Sequence, residues 1–192
     1  MIAHVVGFLR DRLNAAFPRD ASGSAEDMFV YVGGSKDDAV VFASNAVSVL
    51  LVRIEEETTL RPPDRNVRVA ADGVRKRVEP EIRMNLFVLF VARFPDDYSL
   101  SLQQLSRVVR YFQNHRVFTH ANAPELDAQI PQLILELVTP SFAEQNEIWG
   151  SLRVSYQPSA MYKVRMVLFP DDDGALVPIT QTVTRRVVHV PS

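Results

Sequence analysis

The segment RMNLFVLFVARF, residues 83–94, is the most hydrophobic part of the chain. Its apolar run, Leu86 to Ala92, is far shorter than the stretch of about 20 residues that a membrane-spanning helix needs, and Pro95 ends the segment. A short, continuously apolar run rich in Phe, Val and Leu is typical of a strand that is covered on both faces. The segment therefore predicts the central strand of a sheet.

Three helices are predicted around this sheet. The first is amphipathic and closed by Pro18, with apolar residues at helical spacing: Ile2, Val5, Val6, Leu9, Leu13 and Phe17. The second and third begin at capping-box patterns, Ser101 with Gln104 and Ser141 with Glu144. The apolar face expected for the second consists of Leu102, Leu105, Val109 and Phe112. The third is expected to end at Gly150 and to carry Phe142, Ile148 and Trp149.

Strand patterns occupy much of the remaining chain: MFVYV (28–32), AVVFAS (39–44), NAVSVLLVRIEEETTL (45–60), PQLILELVTP (131–140), MYKVRMVLF (161–169) and ITQTVTRRVVHV (179–190). GGSKDD, residues 33–38, suits a hairpin or a longer turn. These patterns predict an α+β fold: a single domain with a mixed, mostly antiparallel sheet flanked by about three helices. Residues 1–170 are expected to form its core, and residues 171–192 a turn and strand that pair with the core or with a neighbour.

Residues 61–82, RPPDRNVRVAADGVRKRVEPEI, differ in character from the rest of the chain. They combine prolines and a basic excess with valines scattered among the charges, and Asp72-Gly73 lies at a turn position. The segment predicts a projecting basic arm or loop. Its cations can meet either phosphate groups or an acidic protein surface, but it lacks the interleaved aromatic residues that stack on bases.

The composition is typical of a globular protein and argues against disulfide-rich, nucleic-acid-binding and membrane-associated proteins. At 47% hydrophobic and 23% charged, the 192-residue chain resembles average soluble proteins, and its net charge of −2 favours no nucleic-acid partner. It has no cysteine, which removes disulfides and thiolate chemistry and fits synthesis in a reducing cytoplasm. Charges at Arg10, Asp11 and Arg12 interrupt the first apolar run, so neither a secretory signal nor a membrane partner is expected.

No residue pattern indicates catalysis, a cofactor or a metal. The four histidines, His4, His115, His120 and His189, lack ligand spacing, VGGSKDD is not a phosphate loop, and DDDG lacks the calcium-loop pattern. Strand alternation would place Glu55 and Glu57 on one face and Glu56 on the other. Two carboxylates on one face are suited to metal binding or acid–base chemistry. They are equally suited to a solvated rim that meets a basic partner. The sequence offers no further ligand residues around them, which favours the rim.

The most specific landmarks are the opening helix, VSVLLVRIEEETTLR (47–61), MNLFVLFVARF (84–94), YSLSLQQLSRVVRYFQNHRVFT (98–119), QLILELVTPSFAEQNEIWGSL (132–152) and YQPSAMYKVRMVLF (156–169). In this order they resemble the conserved N-terminal domain of tail-terminator or cap proteins. These belong to extracellular contractile injection systems, the phage-tail-like particles of the Photorhabdus virulence cassette and antifeeding prophage type.

The resemblance implies a structural cap, not an enzyme. It would be made in the bacterial cytoplasm, form a hexameric ring at the end of an extracellular particle, and bind the inner tube protein and the sheath protein to fix particle length. Partner or ring contacts are expected at Glu55, Glu56, Glu57, Arg61, Arg68, Arg75, Lys76, Arg77 and Trp149, with Trp149 as a core anchor or ring contact. Another phage-tail assembly or adaptor protein, a nucleic-acid-binding module and a hydrolase are the alternatives.

Overall fold

The computed structural model describes residues 1–18, 27–34, 40–57, 67–69, 75–77, 82–168 and 175–176. Within these residues, three helices are α1 (Ile2–Ala16), α2 (Tyr98–Asn114) and α3 (Phe142–Leu152). The strands are β1 (Phe29–Tyr31), β2 (Gly33–Gly34), β3 (Val40–Val41), β4 (Ala46–Glu56), β5 (Val67–Val69), β6 (Arg75–Arg77), β7 (Ile82–Arg93), β8 (Val117–Thr119), β9 (Gln132–Val138), β10 (Ser159–Leu168) and β11 (Ala175–Leu176).

The main sheet has six strands in the order β1-β4-β7-β10-β9-β8. β1 runs parallel to β4, and the other neighbouring strands of this sheet are antiparallel. The hydrophobic segment 83–94 forms most of β7, which lies inside the sheet between β4 and β10. The predicted α+β class, a mostly antiparallel sheet with three helices in one domain, is confirmed.

Two small sheets lie outside the main one. The glycines at residues 33 and 34 form β2 and pair with β3, so the expected hairpin joins these two strands, and MFVYV contributes β1 to the main sheet instead. In the third sheet β6 pairs with both β5 and β11, which links the basic segment to the C-terminal part of the chain. The strand predicted at residues 179–190 and the turn before β11 lie outside the described residues.

Alternation along β7 divides the interior into two cores. On one side, Leu86, Val88, Phe90 and Ala92 pack with side chains of α1 and α2, on what we call the helix-pair face. On the other side, Leu89 and Val91 pack with Trp149 of α3, on what we call the α3 face. Successive side chains of a strand point to opposite faces of the sheet. Because β7 has a core on each face, it needs apolar residues at nearly every position.

Helix α2 begins earlier than its sequence suggested. Its N-cap is Asp97, whose Oδ1 accepts a hydrogen bond from the Leu100 amide at 2.9 Å. Ser101 is instead buried inside the helix, and its Oγ accepts a hydrogen bond from the Phe94 amide at 3.2 Å. The capping box predicted at Ser101 is therefore wrong, because a tertiary contact uses its hydroxyl group.

The apolar face of α2 also differs from prediction. Leu105 and Phe112 are buried as expected, but the buried set includes Val108, while Leu102 is 45% exposed. The face of α2 toward the sheet is centred on Leu105, Val108 and Phe112, and Leu102 lies on the flank of the helix.

Helix α3 has the predicted capping box. Ser141 Oγ accepts a hydrogen bond from the Glu144 amide at 3.3 Å, and the Ser141 amide donates to Glu144 Oε2 at 2.8 Å. The helix does not stop at Gly150, as predicted, but continues to Leu152. Its C-cap is Arg153, which takes the left-handed conformation with φ of 55°.

Two asparagine side chains cover the outer edges of the main sheet. At β1, the Asn14 amide donates to the Phe29 carbonyl and accepts from the Phe29 amide, both at 2.9 Å. At β8, the Asn122 amide donates to the Val117 carbonyl at 2.9 Å and accepts from the Thr119 amide at 2.8 Å. Each side chain thus takes the place of a neighbouring strand for the residues it contacts.

Candidate docking surfaces

Trp149 anchors α3 to the sheet. Its side chain is only 6% exposed and packs with Leu89 and Met161. Its ring lies 5.9 Å from the ring of Phe42 and 5.5 Å from that of Tyr156, measured between centroids. The structure therefore places Trp149 in the core of the α3 face, with part of its ring lining the groove beside the helix.

That groove has a volume of about 840 Å³ and runs between one flank of α3 and the segment that follows the helix. Its lining includes three aromatic rings, two side-chain amides and one guanidinium: Phe142, Gln145, Asn146, Trp149, Arg153 and Tyr156. Aromatic and arginine side chains are enriched in protein–protein contacts. The groove is therefore better suited to the side chains of another protein than to an acid–base reaction.

Phe142 is the most exposed large apolar side chain described, at 92%. It is the first helical residue after the Ser141 cap, so the capping box fixes its position at the helix end. Sequence periodicity gives no sign of this exposure, because Phe142 and Trp149 lie seven residues apart and hence on similar sides of the helix. The difference arises because the buried tryptophan lies over the sheet and Phe142 does not.

The three predicted glutamates lie at the end of β4 and directly after it. The pairing of β4 with β7 shifts at a β-bulge between Leu51 and Arg53. Beyond the bulge Arg53 forms an ion pair with Glu55, and Asn85 Nδ2 donates a hydrogen bond to Glu57 Oε2 at 3.1 Å. Since Asn85 is the cross-strand partner of Glu55, both glutamates lie on the α3 face of the strand.

Glu56 lies on the other side of β4, as alternation predicted. It is exposed, and its cross-strand partner Met84 packs against the helix-pair core. The contacts of Glu55 with Arg53 and of Glu57 with Asn85 give both carboxylates a structural role. In the part of the chain that the structure describes, no group of three or more His, Asp or Glu side chains is placed to hold a metal ion.

The strands beside these glutamates extend the charged surface. Arg165 forms an ion pair with Glu136 at 2.8 Å, and both side chains are about one third exposed. Lys163 is the cross-strand partner of Glu136 and Phe87, so it shares their side of the sheet. The α3 face thus has an apolar part under the helix and a charged part beyond it.

The basic residues of the predicted arm are only partly placed. Arg68 pairs with Lys76 in the register of β5 and β6, and Arg75 and Arg77 are the terminal residues of β6. Arg61 lies outside the described residues. That this segment projects as an arm stays a prediction.

The described histidines have ordinary surroundings. His4 is exposed on α1, and His115 stacks on Tyr111 with ring centroids 4.4 Å apart. His120 Nε2 lies 3.2 Å from the carbonyl oxygen of Asp127. These are packing and surface contacts, and His189 lies outside the described residues.

Among the residues that the structure describes, three titratable groups have clearly shifted pKa values. Burial raises the pKa of Tyr162 to about 12 and also raises the pKa of Tyr111. Hydrogen bonds from Ser141 lower the pKa of Glu144. None of these three groups lines the groove beside α3, and each shift follows from packing or capping. Among the described residues, no helix is long and apolar enough to cross a bilayer.

Residues 4–181 match the family described as the Pvc16 N-terminal domain. Among curated proteins, none matches the chain. The fold is similar to the PVC sheath/tube terminator of an extracellular contractile injection system in its extended state, with 20% identity and a TM-score of 0.60. That similarity covers 100% of this chain and 65% of the terminator.

The fold is also similar to the tube-terminating cap of the anti-feeding prophage, with 18% identity and a TM-score of 0.56. This similarity covers 95% of the chain and 60% of the cap protein. The chain thus spans less than two thirds of the length of either solved protein. At these identities the two structures establish a shared fold.

Proposed function

The chain belongs to the Pvc16 N-terminal domain family, and on that premise we propose that it is a structural cap, or tail terminator, of a contractile phage-tail-like injection particle. The observation that carries this proposal is the family match over residues 4–181. It is supported by two solved proteins of the same fold, one a sheath/tube terminator and the other a tube-terminating cap. The protein would be made in the cytoplasm and end the growth of tube and sheath.

A cap has to match the symmetry of the tube that it ends, and the resemblance to injection-system caps implies six-fold symmetry. The active assembly is therefore a ring of six copies, which contacts the inner tube protein and the sheath protein. The function needs no catalytic residue, cofactor or metal, since it consists of covering the last layer of a polymer. The aromatic groove beside α3 and the charged part of the α3 face supply surfaces for such contacts.

The basic segment 61–82 is proposed to contact an acidic surface of a neighbouring subunit or of the particle. Its cations Arg61, Arg68, Arg75, Lys76 and Arg77 would steer docking more than supply affinity. Glu55, Glu56 and Glu57 form a separate acidic rim at the end of β4. Replacing residues 67–78 with a short Gly/Ser linker is expected to leave the thermal unfolding transition nearly unchanged and to make capped particles rarer. The loss of capped particles is expected to increase at high salt, because salt screens the charge pairs that remain.

The cap function is tested by assembling tube and sheath proteins with and without this chain and viewing the particles by electron microscopy. With the chain, we expect capped ends with six-fold symmetry and a narrow length distribution. Without it, we expect bare ends and a broad distribution. An Asp27→Asn variant, at an exposed residue before β1 that belongs to neither proposed surface, serves as a mild surface control that keeps the fold.

Two results would contradict the proposal. One is a length distribution that does not depend on the chain. The other is a chain that binds neither tube nor sheath and instead turns over a defined substrate, with activity lost in a Glu55→Gln, Glu57→Gln variant. The second result would favour the hydrolase alternative.

A further inference from the structure

One long edge of the main sheet has no neighbouring strand. β4 is eleven residues long, but β1 pairs with it only from Val47 to Val49. Within the residues that the structure describes, no strand pairs with the next part of β4, Leu50 to Glu56, on the side away from β7. We call this part the open β4 edge. An open strand edge is a site onto which another strand can add.

The direction of the backbone groups shows which residues of the open β4 edge can bind a further strand. The Glu57 amide donates to the Arg83 carbonyl at 2.8 Å, so the backbone groups of Glu57 point toward β7. These groups alternate in direction along an antiparallel strand, so the N–H and C=O groups of Ile54 and Glu56 point away from β7. Ile54 is 49% exposed, and Glu56 is exposed as well. The edge thus offers backbone donors and acceptors at two accessible residues.

The charges at this edge restrict which strand can add to it. If two copies of the edge paired antiparallel about its acidic end, Glu55 of one copy would lie opposite Glu55 of the other, and like charges directly opposite each other are destabilising. A basic strand is favoured instead. Residues 179–190, ITQTVTRRVVHV, have the alternation of a strand and contain two adjacent arginines, Arg185 and Arg186.

One antiparallel register of this segment matches the whole acidic end of β4. Its pairs are Ile54 with Val187, Glu55 with Arg186, and Glu56 with Arg185. Both carboxylates then face a guanidinium, and the exposed isoleucine faces a valine, which are favourable cross-strand pairs. Every other antiparallel register leaves at least one of the two glutamates opposite an uncharged residue. A parallel strand that pairs both glutamates places Thr184 opposite Ile54.

The connections of the chain allow this register and set its direction. β11 pairs with β6, and four residues separate β6 from β7, which begins beside the Glu56 end of β4. An extended chain gains about 3.3 Å per residue, so these connections keep β11 within about 30 Å of that end. Residues 177–184, which link β11 to Arg185, span a similar distance when they are extended. A segment that enters at the Glu56 end runs toward Leu51 and is therefore antiparallel to β4.

We propose that residues 179–190 add to the open β4 edge of their own chain as a further antiparallel strand, with the two arginines opposite Glu55 and Glu56. The acidic end of β4 is then a binding site for a basic strand that the same chain supplies. A tethered strand has an effective concentration on the order of millimolar, which favours it over a strand from another molecule. This inference does not depend on the proposed cap function.

Disulfide formation tests the register, since the chain has no cysteine. Glu55 and Arg186 would form a pair without backbone hydrogen bonds between them, and side chains lie closest at such pairs. Under mild oxidation a Glu55→Cys, Arg186→Cys chain is expected to form an intramolecular disulfide. A Glu55→Cys, Val188→Cys chain keeps the same face but is shifted by two residues, and it is expected to react about tenfold more slowly. Equal rates, or no reaction in either chain, overturn the proposal.

Hydrogen exchange tests whether the edge is occupied in the full chain. The amides of Ile54 and Glu56 are expected to be protected in the wild type, because the added strand accepts their hydrogen bonds. Val187→Pro removes the amide that faces Ile54 and is expected to lower the protection of both amides about tenfold. Thr180→Pro lies beyond the residues that face β4 and is the control that keeps them protected. Unprotected amides in the wild type, or equal protection in the two variants, contradict the proposal.

A mixing experiment identifies the source of the strand. A Glu55→Cys chain is mixed with an Arg186→Cys chain, oxidised in the same way and analysed by mass spectrometry. We expect little disulfide between the two chains under conditions in which the double variant reacts within one chain. An intermolecular disulfide that forms as fast as the intramolecular one shows that a second copy supplies the strand, and it overturns the assignment to the same chain. These measurements use the chain alone, so their outcome is independent of whether it caps a tube.

Discussion

The two faces of the main sheet share the same central strand but are covered very differently. The helix-pair face carries a broad core with two helices and several aromatic rings, including Phe90 and Phe112 with centroids 5.5 Å apart. The α3 face carries one helix over a small cluster around Trp149, followed by exposed ion pairs. The first face secures the fold, and the second leaves polar and aromatic groups available to a partner.

The largest expected difference between the faces is in stability. Phe112 is 1% exposed, and its ring lies 5.0 Å from that of Tyr162. Phe112→Ala is expected to lower the free energy of unfolding by about 3–5 kcal/mol, because it leaves a cavity between α2 and the sheet. Urea unfolding followed by circular dichroism measures this loss. Phe142→Ala removes the same atoms from an exposed site, and a loss above about 0.5 kcal/mol there would contradict the comparison.

A second test removes the anchor of the α3 face. Trp149→Ala is expected to cost about 3 kcal/mol, at the low end for a large aromatic side chain, because the cluster around it on the α3 face is small. Hydrogen exchange should show α3 losing protection while α1 keeps it. If both helices lose protection equally, the two cores unfold as one unit.

A third test uses the alkaline titration of Tyr162, which belongs to the helix-pair core. Burial raises the pKa of this tyrosine from 10.0 to about 12. The stabilisation is fully present below pH 10 and is lost as the pH rises toward 12, because only the unfolded chain ionises easily in that window. We expect a loss of about 2 kcal/mol of unfolding free energy. In Tyr162→Phe this part of the pH dependence should be absent, and identical profiles would contradict the assignment.

The smallest expected effect concerns the capping box of α3. Ser141→Ala is expected to cost about 1 kcal/mol of unfolding free energy, confined to the first turns of α3, and Ser106→Ala on α2 is the control.

The capping box also predicts a pH dependence. The pKa of Glu144 is lowered by its hydrogen bonds with Ser141, so the stabilising effect of Glu144 is present above the ordinary carboxyl pKa and is lost as the pH falls. The protection factors of the α3 amides, corrected for the intrinsic exchange rate at each pH, should fall in acid for the wild type but not for Glu144→Gln. Equal acid sensitivity would show that the box does not govern the helix end.

The elements that depend on local pattern could be predicted from sequence. The apolar run of β7, the spacing of α1 and the Ser141 capping box each contain their own signal. The order of the landmark segments also identified the family that residues 4–181 match. These features depend on residues close together in the chain.

Features that depend on contacts between different elements or segments could not be predicted in this way. Ser101 has a capping-box pattern, but its hydroxyl binds the Phe94 amide and the helix starts at Asp97 instead. Local alternation predicts that Glu55 and Glu57 lie on the same face of their strand. It does not predict which face, because that depends on the bulge between Leu51 and Arg53.

The two asparagines on the sheet edges have a consequence for how such a molecule can associate. An open strand edge is a template onto which further strands can add without limit, and this is the route to amyloid-like growth. Asn14 and Asn122 occupy backbone groups of β1 and β8 with side chains that offer no continuing strand. Addition of a strand there would first have to displace two hydrogen bonds. At these positions the sheet is thereby protected from becoming a seed for open-ended aggregation.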